Sequence, residues 1–292
     1  MAKGIKELRG RIRSIKNTRK ITRAMEMVSA AKLRRAQQAM ESAKPFTRKL
    51  ATLLGRLALD PKALEHPLFD ARPGSELPPL VVLFTSDRGL CGAFNTNLIK
   101  TADRYLRKHP DALLYCVGRK GHEYFKRRAG ERLVGHVADL GGRLDGETTD
   151  ALGARFQQMF LEKRVSSVQI IAPEFVSTAF NRPQRVQYLP LEPKAFGLSE
   201  EEASKPIDYI LEPTPERVFD AVLPRYLKSQ VFLTLAETQT CEHASRMLAM
   251  NNATKNCGEL SDALTLEMNK ARQAAITTEL IEIVSGANAL EG

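Results

Sequence analysis

Apolar residues near the start of the chain recur at Ile5, Leu8, Ile12 and Ile15. Spacings of three, four and three line one side of a helix and suit a single partner helix. The stripe then drifts, with Ile21, Met25 and Val28 on a shifted phase. Small residues (Ala24, Ser29, Ala30, Ala31, Ala36, Ala39) crowd the next turns and leave room for another helix to approach. Neither Gly nor Pro interrupts residues 11–44, and strong helix formers fill them. Pro45 marks a break or bend. Leu50, Leu53, Leu54 and Leu57 close the segment, which predicts a helix over 1–58.

Residues 59–79 contain Pro61, Pro67, Pro73, Pro78, Pro79 and Gly74 and read as a linker without regular structure. The period then changes. Short apolar runs at 80–85, 113–117, 133–137 and 168–172 predict strands, and 185–191 alternates like an edge strand. Helical patterns at 95–108, 121–128 and 148–163 separate them. Such alternation predicts a Rossmann-like α/β domain over 80–191, with a mostly parallel sheet covered by helices on both faces. Residues 192–213 are polar and Pro-rich and read as an exposed loop. Thr214-Pro215 is a helix start, a capping hydroxyl followed by Pro at the first helical position. A helical pattern follows over 214–292, with Pro224 kinking its first turns. Its later stripe is Leu260, Leu264, Met268, Ala271 and Ala275.

Helices of about fifty residues run roughly 75 Å, against a diameter of about 50 Å for a globule of this length. The two end helices are therefore expected to project as a long antiparallel coiled coil. Charge agrees with the pairing. Residues 1–35 hold twelve Lys/Arg against Glu7 and Glu26, so the whole formal excess of +10 falls there. Residues 259–292 hold six acidic residues against Lys270 and Arg272.

The chemistry-bearing residues exclude several functions. Five histidines and four cysteines (Cys91, Cys116, Cys241, Cys257) show no metal-ligand spacing and no C-x-x-C, so no metal site and no disulfide framework is expected. The apolar run at 80–84 is too short to span a bilayer, and no secretory leader is expected. The turn 85–95 is Gly-rich but lacks G-x-G-x-x-G, and no P-loop motif occurs. Gly89 and Gly92 are expected to serve a tight turn, with Asp87 and Arg88 pairing locally or facing a partner.

The run 276–289 (ITTELIEIVSGANA) closely resembles the C-terminal signature of ATP synthase gamma subunits, I-T-x-E-x-x-E-[IL]-[IV]-x-G-x-x-A. Three further runs resemble the same family: 20–28 (KITRAMEMV), 269–274 (NKARQA) and 85–95 (TSDRGLCGAFN). Together they cover the chain in the family's order of helix, α/β domain, helix.

The resemblance implies the central rotor shaft of a bacterial-type, proton-translocating ATP synthase. Such a shaft couples rotation of the membrane c ring to ATP synthesis or hydrolysis at the beta subunits. It has no catalytic site, cofactor or metal of its own. The implied partners are the alpha and beta subunits, the epsilon subunit and the c ring. The implied location is the cytoplasmic face of the inner membrane, as a peripheral protein held through the complex. Carried onto matching positions, the implied partner contacts are Lys20, Arg23 and Met25 on the first helix. On the last helix they are Arg272, Gln273, Thr277, Glu279 and Glu282. Arg272 and Gln273 are expected to meet the same beta region as Met25, and Lys32, Arg34 and Arg35 to offer further charge. Residues 209–213 are a candidate contact with the c ring. No thiol regulation is expected.

Composition alone also supports a different reading, a nucleic-acid-binding protein with a basic helical arm. The first 45 residues carry no Trp or Tyr and no Phe to stack on a base.

Overall fold

β1 (Leu80–Phe84) is buried at all five positions, as a central parallel strand covered on both faces must be. The computed structural model describes residues 2–140, 146–197, 212 and 214–290. It falls into two units, Ala31–Ser245 and the pair of end segments Met1–Ala30 and Arg246–Gly292. In the first of these, β1 is flanked by β2 (Leu113–Val117) and β4 (Val168–Phe175), with β3 (Leu133–Val137) and β5 (Asn181–Leu189) at the edges. β1, β2, β3 and β4 run parallel; β5 pairs antiparallel with β4.

Alternate residues of β1 point to opposite faces. Val81 and Leu83 pack with Phe94, Leu98 and Ala102 of α2 (Phe94–Lys108) and with Phe125 of α3 (Arg119–Phe125). Leu80, Val82 and Phe84 pack on the other face with Phe156 and Phe160 of α4 (Gly146–Leu161). That face also receives Leu54 and Leu57 of α1 (Ala2–Leu57) and Phe219, Leu223 and Tyr226 of α5 (Pro215–Leu290). α5 starts as its sequence demands, with Arg217 N–H donating to Thr214 Oγ1 at 3.4 Å and Pro215 at the first position.

Three expectations need correction. Pro45 does not break its helix: it lies inside the continuous α1, as Pro224 lies inside the continuous α5. A helix-interior Pro costs about 3 kcal/mol, whereas each buried Leu contributes about 1.5–3 kcal/mol. Leu54 and Leu57 after Pro45, and Leu223 and Leu227 around Pro224, are all buried and outweigh the loss. Segment 59–79 is not devoid of regular structure: Pro61–Glu65 and Pro67–Phe69 form 3-10 turns. Each places its Pro at a first helical position, after a cap that accepts an amide (Asp60 from Lys62, His66 from Leu68). Leu68 is buried, and its carbonyl accepts the Leu191 N–H at 2.8 Å. Finally, Pro193–Phe196 of the supposed exposed loop is a 3-10 turn with Phe196 buried. Positions 198–211 and 213, including most of the candidate c-ring contact, lie outside the described residues.

β5 begins four residues earlier than its alternation suggests, and Pro183 of β5 faces Pro173 of β4. Pairing of β4 with β1 ends at Ile171, so Pro173 lies where no amide is needed on that side.

Candidate functional site

The site residues implied by the sequence fall in the unit made of the two chain ends, where α1 and α5 pair antiparallel. Thr254 Oγ1 donates to Thr22 Oγ1 at 2.8 Å, and Asn251 Nδ2 donates to Glu26 Oε1 at 3.1 Å. Arg19 lies over Gly258, close to where a Cβ would sit. Stepping from Thr22 toward the start of α1, this register brings Ile12 opposite Leu264 and Ile5 opposite Ala271.

Covered positions along one line of α5 are Met250, Thr254, Cys257, Ser261, Leu264, Met268, Ala271 and Ala275, with Ala253, Gly258 and Thr265 half-buried beside them. Steps of four and three alternate throughout, the heptad of a two-helix seam. On α1 the seam runs through Ile5, Leu8, Ile12, Ile15, Thr22, Glu26 and Ser29.

This seam corrects the sequence reading. The apolar phase of Ile21 and Val28 is not the inner one: they are 60% and 57% exposed, whereas Thr22 and Ser29 are buried. Leu260 is likewise 51% exposed, while Ser261 beside it is buried. Small hydroxyl residues take the inside because two backbones can approach closely there. Their hydroxyls are satisfied, Ser29 by Met25 O at 2.7 Å and Thr22 by Arg19 O at 3.0 Å. The larger apolar side chains Ile21, Met27, Val28, Leu260 and Leu266 point outward. Beyond Ala275 the register passes the first residue of α1. There Ile276, Leu280, Ile281, Ile283 and Val284 are all exposed.

Lys20 is exposed and Met25 half-buried. Arg23 bridges to Glu26 at 3.2 Å, so its charge is partly engaged within α1. Arg272, Gln273, Glu279 and Glu282 are exposed, and Thr277 donates to Gln273 O at 3.0 Å. The register does not bring the two groups together. Met25 sits near Asn251, about twenty residues or roughly 30 Å from Arg272 along the helix. Sequence reasoning named Ser29 as room for a second helix but missed Thr22, Glu26, Asn251, Thr254 and Ser261. Their signal was the heptad of Ile5, Leu8, Ile12 and Ile15 continued in phase through polar residues.

In the Gly-rich turn after β1, the Asp87 side chain is engaged by nearby backbone. Asp87 Oδ1 accepts the N–H groups of Arg119 and Asp139, each at 3.0 Å, and Arg119 pairs with Asp139. Asn95 Oδ1 accepts Ser86 N–H at 3.0 Å. Local pairing is thus the role of Asp87. Nearby, Gly118 at φ +102° lies so close to Thr85 that a Cβ would come 2.1 Å from its carbonyl oxygen. The Cys116 thiol under this region is pushed up to about 12 by burial, and the four cysteines are free.

The ATP synthase family model matches residues 4–290. The ATP synthase gamma chain of Symbiobacterium thermophilum is 42% identical over 294 residues, covering 100% of both chains. That of Pelotomaculum thermopropionicum is 39% identical over 288 residues, covering 98% of this chain and 99% of the relative. Among solved structures, the fold is similar to a chain of the Euglena gracilis mitochondrial ATP synthase OSCP/F1/c-ring assembly. That match has a TM-score of 0.67 at 20% identity, over 99% of this chain and 95% of the other. It is also similar to a chain of the Tetrahymena thermophila mitochondrial ATP synthase central stalk/c-ring, with TM-score 0.62 and 24% identity over 80% and 99%.

Proposed function

The chain belongs to the ATP synthase gamma chain family, and on that premise we propose that it is the enzyme's central rotor shaft. It couples rotation of the membrane c ring to ATP synthesis or hydrolysis at the beta subunits.

The observation that carries this reading is the inverted distribution of side chains on the paired ends. Thr22, Ser29, Thr254 and Ser261 take seam positions, while Ile21, Val28, Leu260, Ile281 and Ile283 face outward at 51–61% exposure. Apolar surface of this kind marks an interaction site. A helix pair that exposes large apolar residues among its cations, with an exposed apolar extension, suits enclosure by a surrounding sleeve, here the alpha and beta subunits. Catalysis belongs to the beta subunits. This chain contributes contacts that differ with its angular position, and differential contact is what shifts one conformation over another. Among the described residues no helix is long and apolar enough to cross a membrane. The chain is held as a peripheral protein at the cytoplasmic face through epsilon and the c ring.

The test is co-expression with the cognate alpha and beta subunits. A stable complex with one copy of this chain, whose ATPase activity collapses on deletion of residues 276–292, is expected. Failure to associate, with tight salt-sensitive DNA binding instead, overturns the reading in favour of a basic nucleic-acid arm.

A further inference from the structure

Balance between acidic and basic residues after position 35 conceals a second concentration of positive charge. Residues 100–132, in the α/β unit, hold ten Lys/Arg against four Asp/Glu. Three of these cations line one concavity of about 400 Å³. Arg107 enters from the last turn of α2, Arg128 from the turn after α3, and Arg132 from just before β3; Leu106 and Phe125 form part of the floor.

How each guanidinium is held matters more than the count. Arg107 pairs with Asp103 at 2.8 Å, so its charge is compensated. Arg132 Nη1 donates to Pro110 O at 3.0 Å. Arg128 Nη1 donates to Tyr124 O at 3.2 Å, and its guanidinium lies 4.1 Å from the Tyr124 ring centre. Among the described residues both are fixed by neutral partners, and their charges remain. Each guanidinium carries five N–H donors, and each spends one on these anchors. Attraction to the carbonyl ends of helices accounts for Arg107 and Arg128. It does not account for Arg132, which lies outside any α-helix and is tied across to Pro110.

We propose that this concavity binds a phosphate-class dianion, with Arg128 and Arg132 as its charge ligands. Two uncompensated guanidiniums match two negative charges, and the planar fork matches phosphate oxygens. The Asp103 carboxylate also lines the cavity. It is held by Arg107 and restricts the site to ligands that engage the Arg128–Arg132 side. A free pyrophosphate and the phosphomonoester headgroup of phosphatidic acid share this chemistry.

The experiment uses the full-length chain in low salt, with pyrophosphate titrated calorimetrically and phosphatidic acid vesicles assayed by flotation. The pair Arg128→Gln with Arg132→Gln is compared with Arg9→Gln with Arg13→Gln, which removes equal charge from the basic α1. Loss of affinity of about tenfold or more in the cavity variant, with little change in the α1 variant, is the expected result. Loss confined to pyrophosphate identifies a soluble ligand, and loss confined to vesicles identifies a lipid headgroup. Arg128→Lys with Arg132→Lys keeps the charge if the Gln variant is unfolded. It too weakens binding, by about threefold, because an ammonium cannot present the fork. Equal weakening by the cavity and α1 variants, unchanged affinity in the Lys variant, or no binding of either probe overturns the proposal.

Discussion

Thr254 Oγ1 sits 2.8 Å from Thr22 Oγ1, joining two residues 232 positions apart in the chain. The pair fixes the register of the end helices, and a slip of one residue would carry both hydroxyls off the seam. Hydroxyls in contact bring their Cβ atoms close enough for disulfide geometry. Thr22→Cys with Thr254→Cys, in a background where Cys257 is Ser, is expected to oxidise to an intramolecular cross-link. Ile12→Cys with Thr254→Cys is expected not to. Non-reducing electrophoresis with peptide mapping reads both, and cross-linking of the second pair alone would refute this register.

The outward apolar residues lead to a separation of stability from function. Ile281 and Ile283 are about 60% exposed, so replacing them costs the isolated chain no more than about 0.5 kcal/mol. Ile281→Asp with Ile283→Asp is therefore expected to leave the melting temperature of the free chain nearly unchanged. In the assembled enzyme, the same variant should lower ATPase activity by about tenfold or more, because two carboxylates would enter an apolar contact. Full activity of the complex would show that this end is not enclosed.

Met25 offers a finer test of the same role. It is half-buried next to the Glu26–Asn251 hydrogen bond, and under the proposed role a lysine here would pair with an acidic beta surface. Met25→Lys is expected to assemble and to hydrolyse ATP while pumping protons poorly. The ratio of proton uptake to hydrolysis in inverted vesicles measures this, and an unchanged ratio would remove Met25 from the coupling contact.

Much of this was legible because the signals were local. β1 reads as LVVLF because both faces are covered, and Thr214-Pro215 starts α5 as its chemistry requires. The seam was harder to read. Ile21 and Val28 look like its continuation by hydropathy, yet the heptad begun at Ile5 passes through Thr22 and Ser29. Hydropathy assigns apolar side chains to the inside, and a helix pair with an outer partner breaks that assumption. Pro61 and Pro67 misled for a related reason. They break helices in the interior, but each opens a turn here because Asp60 and His66 cap it. The cluster of Arg107, Arg128 and Arg132 depends on packing of α2 against α3, which no spacing in the sequence reports.

Glu237 provides a pH-dependent test of the α/β unit. Its carboxylate accepts the Phe175 N–H at 2.9 Å. Burial raises its pKa above the ordinary 4.5, opposed by the Phe175 hydrogen bond and by Lys44 and reinforced by Glu174. The folded state thus holds this proton more tightly than the unfolded chain, so ionisation at high pH costs stability. That cost is relieved as pH falls through the folded value and is absent below the unfolded one. Glu237→Gln keeps an acceptor oxygen and is expected to raise the melting temperature at pH 8, with the gain vanishing below about pH 4.5. Neighbouring Cys241 has its thiol raised by burial and by the same carboxylate, and its titration should move down in the variant. A variant less stable at pH 8 would mean that the hydrogen bond to a charged oxygen outweighs desolvation.

Asp87 makes a stronger demand on the same unit, because one oxygen serves two backbones. Its Oδ1 accepts from Arg119 N–H at the start of α3 and from Asp139 N–H after β3. Asp87→Ala leaves both amides without that acceptor, at a cost of about 1–3 kcal/mol. Asp87→Asn retains an oxygen at the same place and loses only the charge-assisted part, about 1 kcal/mol. Thermal unfolding should therefore rank wild type above Asn and Asn above Ala. The ranking also bears on function. If the turn served a nucleotide phosphate, removing the Asp87 carboxylate would free two amide donors and increase nucleotide affinity in the Ala variant. If its purpose is to fasten α3 to the sheet, the same variant binds no nucleotide and only melts earlier. The second outcome is expected, since Gly118 is pressed against Thr85 beside this clamp and leaves the loop little freedom to open.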